Sequence, residues 1–275
     1  MKLPFSIDLT GKVAVVTGAG GVLMSVFARA LAASGARVAL LDINERSVSD
    51  LASEIGENAL AVPCDCLSKA QIVSAHETIL SAFGPVDLLI NGAGGNHPRA
   101  TCNETADPRL HPATDFFALE EEDIRRVFDL NITSAFLVTQ VMAQDMTEHG
   151  GNIINISSMN AFTPLTKIPA YSAAKAGVSN FTEWLAVHFA PCGIRVNAIA
   201  PGFFATEQNR ALLFDKQGDP TPRTGKILAA TPQKRLGKAE DLIGTLLWLC
   251  SDEASGFVTG TVIPVDGGFH AYSGV

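Results

Sequence analysis

A tyrosine and a lysine four residues apart, Tyr171 and Lys175 in the segment YSAAK, are residues whose spacing could do chemistry. On a helix, positions i and i+4 share a face, so the phenol and the ammonium project together. A free tyrosine, with a pKa of about 10, is a poor base near neutrality. A neighbouring positive charge favours the phenolate, and each tenfold gain in the phenolate-to-phenol ratio is worth about 1.4 kcal/mol. Ser158 stands thirteen residues before the tyrosine, at the end of a predicted strand, where its hydroxyl could donate to a substrate oxygen. The three read as a general acid–base with an adjoining donor. The plain alternative is chance, because Y-x-x-x-K occurs in many helices.

A second stretch, TGAGGVLM (Thr17–Met24), follows the apolar run KVAVV and opens a helical pattern. Glycine-rich turns of this kind bring backbone N–H groups and a helix N-terminus up to a pyrophosphate. Val22 and Met24 occupy positions where such turns commonly carry glycine. Backbone donors hold the phosphates, and every non-proline residue has one, so the turn still fits a dinucleotide. Asp42 ends the next strand, 24 residues after Gly18, where a carboxylate can accept both ribose hydroxyls of an adenosine. The expected contacts are Gly18, Gly20, Gly21, Val22 and Leu23 at the turn, with Asp42 and Ile43 at the second strand. Ile43 offers no cation for a 2′-phosphate, which favours NAD over its phosphorylated form.

These residues need a scaffold, and the hydrophobic pattern supplies one. Apolar runs at 13–17, 36–42, 59–63, 86–91, 152–157, 194–200 and about 258–265 read as strands. Helical patterns separate them, near 22–34, 45–55, 68–83, 119–149, 171–191 and 239–251. Unbroken apolar strands alternating with helices predict a doubly wound, Rossmann-like α/β fold. It has a parallel sheet of about seven strands with helices on both faces. We read residues 1–275 as a single domain with insertions at about 95–118 and 202–237, both following strand C-termini, the edge where open sheets bind ligands.

Composition narrows the function classes. Apolar residues make up 47% of the chain and charged residues 17%, as a well-buried globular protein requires. A formal net charge of −8 argues against nucleic acid or anionic membrane as a partner. No apolar run approaches a membrane span, and the start MKLPFSIDLTGK lacks the apolar region of a signal peptide. Five irregularly spaced cysteines suggest reduced thiols and a cytoplasmic protein. His97, Cys102 and His111 match no compact metal motif, so no metal is expected. Cys64 and Cys66 read as small packing residues, and Val178, Phe181, Trp184, Leu185 and His188 as core or subunit interface.

Taken in order, the motifs resemble the short-chain dehydrogenase/reductase family over almost the whole chain. TGAGGVLM is similar to that family's glycine turn, INGAG (90–94) to its N-N-A-G segment, and DLNI, NIINISS, YSAAK, IAPGF (199–203) and VDGG (265–268) follow in sequence. The resemblance implies a catalytic tetrad of Asn131, Ser158, Tyr171 and Lys175, in which Asn131 holds a water linking Lys175 to solvent. It assigns Asp65 to the adenine, Asn91, Ala93 and Gly94 to the adenosine side, and Pro201, Gly202 and Thr206 to the nicotinamide. It also implies NAD as cofactor and a homotetramer.

A narrower resemblance, carried by VLM, GGNHPRA, SSMNAFTPLTKIPAYS and NRALLFD, is to short-chain-type fructuronate reductases (D-mannonate oxidoreductases) of hexuronate breakdown. It implies a sugar-acid substrate, whose carboxylate needs a cation or a set of amide donors. The candidates are Asn96, His97 and Arg99 in the first insertion (Arg99 alone reading better as solvated surface), Asn209 and Arg210 in the second, and Asn160 and Lys167 between Ser158 and Tyr171. Ser158 and Tyr171 would meet the reacting oxygen. Alternatives are another substrate, such as a ketogluconate or a 3-oxoacyl thioester, or an NADH sensor without catalysis. A pure sensor needs neither Tyr171 nor Lys175.

Overall fold

The computed structural model describes residues 7–106, 109, 115–205 and 213–274. Seven parallel strands form one sheet in the order β3-β2-β1-β4-β5-β6-β7. They are β1 (Val13–Thr17), β2 (Arg37–Asp42), β3 (Ala59–Pro63), β4 (Leu88–Asn91), β5 (Gly151–Ile156), β6 (Ile194–Pro201) and β7 (Val262–Val265). Strand order reverses between β1 and β4, which opens a crevice at their C-terminal ends.

Successive strand residues point to opposite faces, so each strand feeds two cores. Val16, Leu40, Ile90, Ile154 and Ile199 pack under α1 (Val22–Ala33), α2 (Glu45–Ile55) and a later helix, α8 (Ile243–Cys250). Their neighbours Val15, Leu41, Leu89, Ile153 and Val196 pack under α3 (Lys69–Phe83), α5 (Ser134–His149) and α6 (Pro169–Phe189). Both faces are covered, which is why the strands carry no polar alternation. Each fully buried aliphatic side chain contributes about 1.5–3 kcal/mol.

Several expected boundaries shift for local reasons. The single helix expected over 119–149 is α4 (Glu121–Phe128), a π-helical turn over Asp129–Thr133, and then α5. Helix α6 begins two residues earlier than expected because Pro169 takes its first turn, where no amide is needed. It ends at Phe189, and Pro191 falls in a following 3₁₀ turn. The second insertion, expected to be irregular, contains α7 (Pro222–Ala230), started by a Thr221 cap and Pro222. Those two residues are the sequence signal that marks its start. Strand β7 is shorter than expected, since Gly260 adopts a φ of +75° just before it. The stripe on α6 divides: Val178, Phe181 and Leu185 are buried, while Trp184 is exposed. No helix among the described residues is long and apolar enough to cross a membrane.

Candidate active site

The crevice at the strand reversal is a cleft of about 730 Å³. One side is the turn after β1. Gly18 there has a φ of +66°, and a Cβ on it would lie 3.0 Å from the Ala93 backbone, so only glycine fits. Thr17 Oγ1 accepts hydrogen bonds from Gly92 N (3.0 Å) and Ala93 N (3.1 Å), tying the ends of β1 and β4 together. Val22, Leu23 and Met24 line the cleft beside Gly18 and Gly21, at the N-terminus of α1.

Met24 explains a second glycine. A Cβ on Gly92 would sit 2.1 Å from the Met24 sulfur, so the thioether occupies the space a side chain at 92 would need. The bulky turn and the bare position opposite it are complementary. Asp42 closes this end. Its carboxylate accepts from Gly20 N (3.1 Å) and Asn44 N (2.9 Å), and both Asp42 and Ile43 face the cleft. Gly20 itself is pressed against Ser47 rather than lining the cleft. Asp65 lines the same end, with Oδ1 accepting from Leu67 N at 2.9 Å.

The cleft's other end is built from buried side chains. Tyr171 and Lys175 lie one turn apart on α6 and both line it. Lys175 is 4% exposed, and its Nζ donates to Ile156 O at 2.7 Å. Burial draws its pKa down to about 8. The Nζ lies 5.7 Å from the centre of the Tyr171 ring. Desolvation raises the Tyr171 pKa above its ordinary value, and a hydrogen bond with Ser158 pulls the other way. Before any cofactor binds, burial therefore outweighs the influence expected from the neighbouring ammonium.

Ser158 caps the 3₁₀ turn over Met159–Ala161, where its Oγ accepts from Asn160 N at 3.2 Å. Its own proton is directed to Tyr171, the bond that favours the phenolate. Asn131 sits in the π-helical turn, a device that often re-aims one residue at a functional site. Its amide donates to Gly95 O (2.7 Å) and Val127 O (2.8 Å) and accepts from Gly95 N (3.1 Å), which pins the loop after β4. A Cβ on Gly94 would come within 2.7 Å of Asn131 Oδ1 and 3.1 Å of Lys175 Nζ, so those two groups converge on Gly94. The tetrad residues thus gather around one end of the cleft from three separate elements, the π-helical turn, the segment after β5, and α6.

Other expected residues stand elsewhere. The Asn91 amide donates to Thr139 Oγ1 (2.9 Å) and Asn155 Oδ1 (2.8 Å), inside the protein, while Ala93 and Gly94 line the cleft. Pro201 and Gly202 end β6, where Gly202 N donates to Val265 O at 3.0 Å. Asn96 is exposed and bonds Thr101. His97 Nδ1 lies 3.3 Å from Asp123 Oδ1, without hydrogen-bond geometry. Arg99 grips the same buried carboxylate at 2.9 Å, so Asp123 anchors the first insertion as well as starting α4. Lys167 faces Glu104 at 3.8 Å, and Lys226 of α7 approaches that carboxylate at 3.3 Å, linking the two insertions. Asn160 is 5% exposed, and its Oδ1 has no partner. Thr206, Asn209, Arg210 and His111 lie outside the described residues.

Among the cleft residues given no role by sequence reasoning are Arg126 on α4 and, inside the DLNI segment, Leu130 one turn further on. Their i, i+4 spacing just before Asn131 is the signal that points to them.

The glycine cradle, the helix N-terminus and the strand-end carboxylate together fit a dinucleotide. Comparison with known proteins agrees. The profile of the enoyl-(acyl carrier protein) reductase family matches residues 25–270. An uncharacterized oxidoreductase of Bacillus subtilis, UxuB, is 51% identical over 99% of this chain and 100% of its own. A Haemophilus influenzae protein provisionally named a D-mannonate oxidoreductase, solved with bound NAD, is 52% identical with a TM-score of 0.94, covering 98% of both chains. The 5-keto-D-gluconate 5-reductase of Escherichia coli K12 is 35% identical over 95% of this chain and 96% of its own.

Proposed function

The chain belongs to the short-chain dehydrogenase/reductase family, and from that premise we propose that this NAD-dependent oxidoreductase acts on a sugar acid, interconverting D-fructuronate and D-mannonate. The observation that carries the chemistry is the convergence of Tyr171, Ser158, Lys175 and Asn131 at one end of a cleft whose other end carries Asp42. The sugar acid is supported by the half-identical Haemophilus protein and its name. Asn160 adds to it, because a buried acceptor without a partner, two residues from Ser158, suits a substrate hydroxyl.

When bound, the cofactor would supply a hydride to the substrate carbon as NADH or accept one as NAD⁺. In reduction the Tyr171 hydroxyl donates its proton to the carbonyl oxygen, and in oxidation it takes the proton back. Burial raises its pKa, which keeps the proton in place for the reductive direction. The Ser158 hydroxyl, which bonds Tyr171 before substrate enters, would donate to the same oxygen once the substrate is in place. The Lys175 ammonium stabilises the phenolate as it forms. Asn131 fixes Gly95 and so the loop beside Lys175, and it stays the candidate to hold the water that links Lys175 to solvent. Asp42 accepts the ribose hydroxyls and repels a 2′-phosphate.

Lys167 lies 3.8 Å from Glu104 in an exposed pair, which leaves it a candidate for the substrate carboxylate beside Arg210, Asn209, His97 and Asn96. We assign the protein to the cytoplasm. A homotetramer is supported by an exposed aromatic face, where Trp184 is 56% and Val187 79% exposed beside the stacked Phe136 and Phe181 rings. Light scattering would read that assembly directly.

The test of function is purified protein with NADH and, separately, D-fructuronate, 5-keto-D-gluconate and a 3-oxoacyl thioester, followed by nicotinamide absorbance. Fastest turnover of D-fructuronate is expected. Preference for either other substrate would replace the sugar-acid assignment, and NADH binding without turnover of any would make the protein a sensor.

A further inference from the structure

One cation on the cleft wall has no role in the site as described so far. Two carboxylates line it, Asp42 and Asp65, and two cations, Lys175 and Arg126. Lys175 is buried at the catalytic end with its ammonium on the Ile156 carbonyl. Arg126 differs. It is exposed on α4 and shares a helix face with Leu130, which lines the same cleft. Its neighbour Arg125 is tied to Glu121 one turn back, whereas among the described residues no ion pair or hydrogen bond holds the Arg126 guanidinium.

Of the parts of NAD, the bases and riboses carry no negative charge, and the pyrophosphate carries two. It must enter a cleft that already holds two carboxylates, in a chain of net charge −8. Backbone amides of the turn and the N-terminus of α1 meet that charge with partial positive charges. A guanidinium presents parallel N–H donors that match a pair of phosphate oxygens. We propose that Arg126 is a binding residue for the pyrophosphate, adding a full positive charge to the backbone donors of the turn after β1. The proposal rests on the reading of this cleft as an NAD site. It extends that site to α4, an element to which neither the turn nor the YSAAK motif points.

The experiment is calorimetric binding of NADH, ADP and adenosine to the wild-type protein and to Arg126→Gln, with no substrate present. ADP carries the diphosphate and adenosine does not. The variant should weaken NADH and ADP by about fivefold or more and leave adenosine within about twofold. The ADP difference should narrow as salt rises, because the guanidinium is exposed. Arg125→Gln, one residue away on the same helix, should leave all three unchanged. Unaltered ADP affinity in Arg126→Gln, with normal binding by the wild type, would overturn the proposal. Equal weakening of adenosine and ADP would also overturn it, by placing the guanidinium on the base. Failure of the wild-type protein to bind NADH or ADP is a distinct result that removes the dinucleotide reading itself.

Discussion

The two ends of the cleft are made of different material. The adenosine end is mostly backbone: a glycine turn, a helix N-terminus and a carboxylate held by two amides. The catalytic end is side chains, drawn from the π-helical turn, the segment after β5, and α6, and packed so tightly that an ammonium is buried. A backbone site tolerates side-chain change, as Val22 and Met24 illustrate. A side-chain site does not, because each group there is desolvated and oriented by specific partners.

The sharpest way to separate the two ends is Tyr171→Phe. Turnover should fall about a thousandfold or more while NADH binds as before, since only the acid–base hydroxyl is lost. A variant keeping a tenth of the activity would show that proton transfer runs elsewhere. The next largest effect concerns stability. Lys175 has its pKa drawn from 10.5 to about 8, so its charged form destabilises the fold by about 3 kcal/mol below that pH. Between about pH 8 and 10 the unfolded chain binds the extra proton, so wild-type stability gains relative to a variant without the amine. Lys175→Met should therefore be inactive yet more stable in urea at about pH 7, with the margin shrinking toward about pH 10. A variant less stable at both values would contradict the burial cost.

At the adenosine end the expected effects are smaller. Gly92→Ala puts a methyl 2.1 Å from the Met24 sulfur and 2.7 Å from Thr17 O. It should cost about 1–3 kcal/mol and weaken NADH. Adding Met24→Ala should recover part of that loss, so the pair is less damaged than the sum of the single changes. Strict additivity in the denaturation midpoints would mean that the two positions do not share space. Smallest is cofactor choice. The wild-type protein should favour NADH over NADPH by at least about tenfold in catalytic efficiency, and Asp42→Ala should remove most of that preference. Equal use of both cofactors by the wild type would dismiss Asp42 as the discriminating charge.

The amino-acid sequence by itself determined what depends on neighbours along the chain. Strand and helix alternation is carried by local periodicity, and it delivered the parallel sheet with helices on both faces, while the strand order that opens the crevice at β1 and β4 came from the tertiary structure. The i, i+4 pairing of Tyr171 and Lys175 and the positive φ of Gly18 are local in the same sense. The tertiary structure alone decided which distant groups meet. It turned the Asn91 amide inward to Asn155, bound Lys167 to Glu104, fitted Met24 into the space left at Gly92, and set Arg126 on the cleft wall. It also decided that burial, more than the nearby ammonium, governs the Tyr171 proton before cofactor binds. The reason is physical: a side chain's partner and its desolvation are set by contacts between segments far apart in sequence, and periodicity carries no information about those distances.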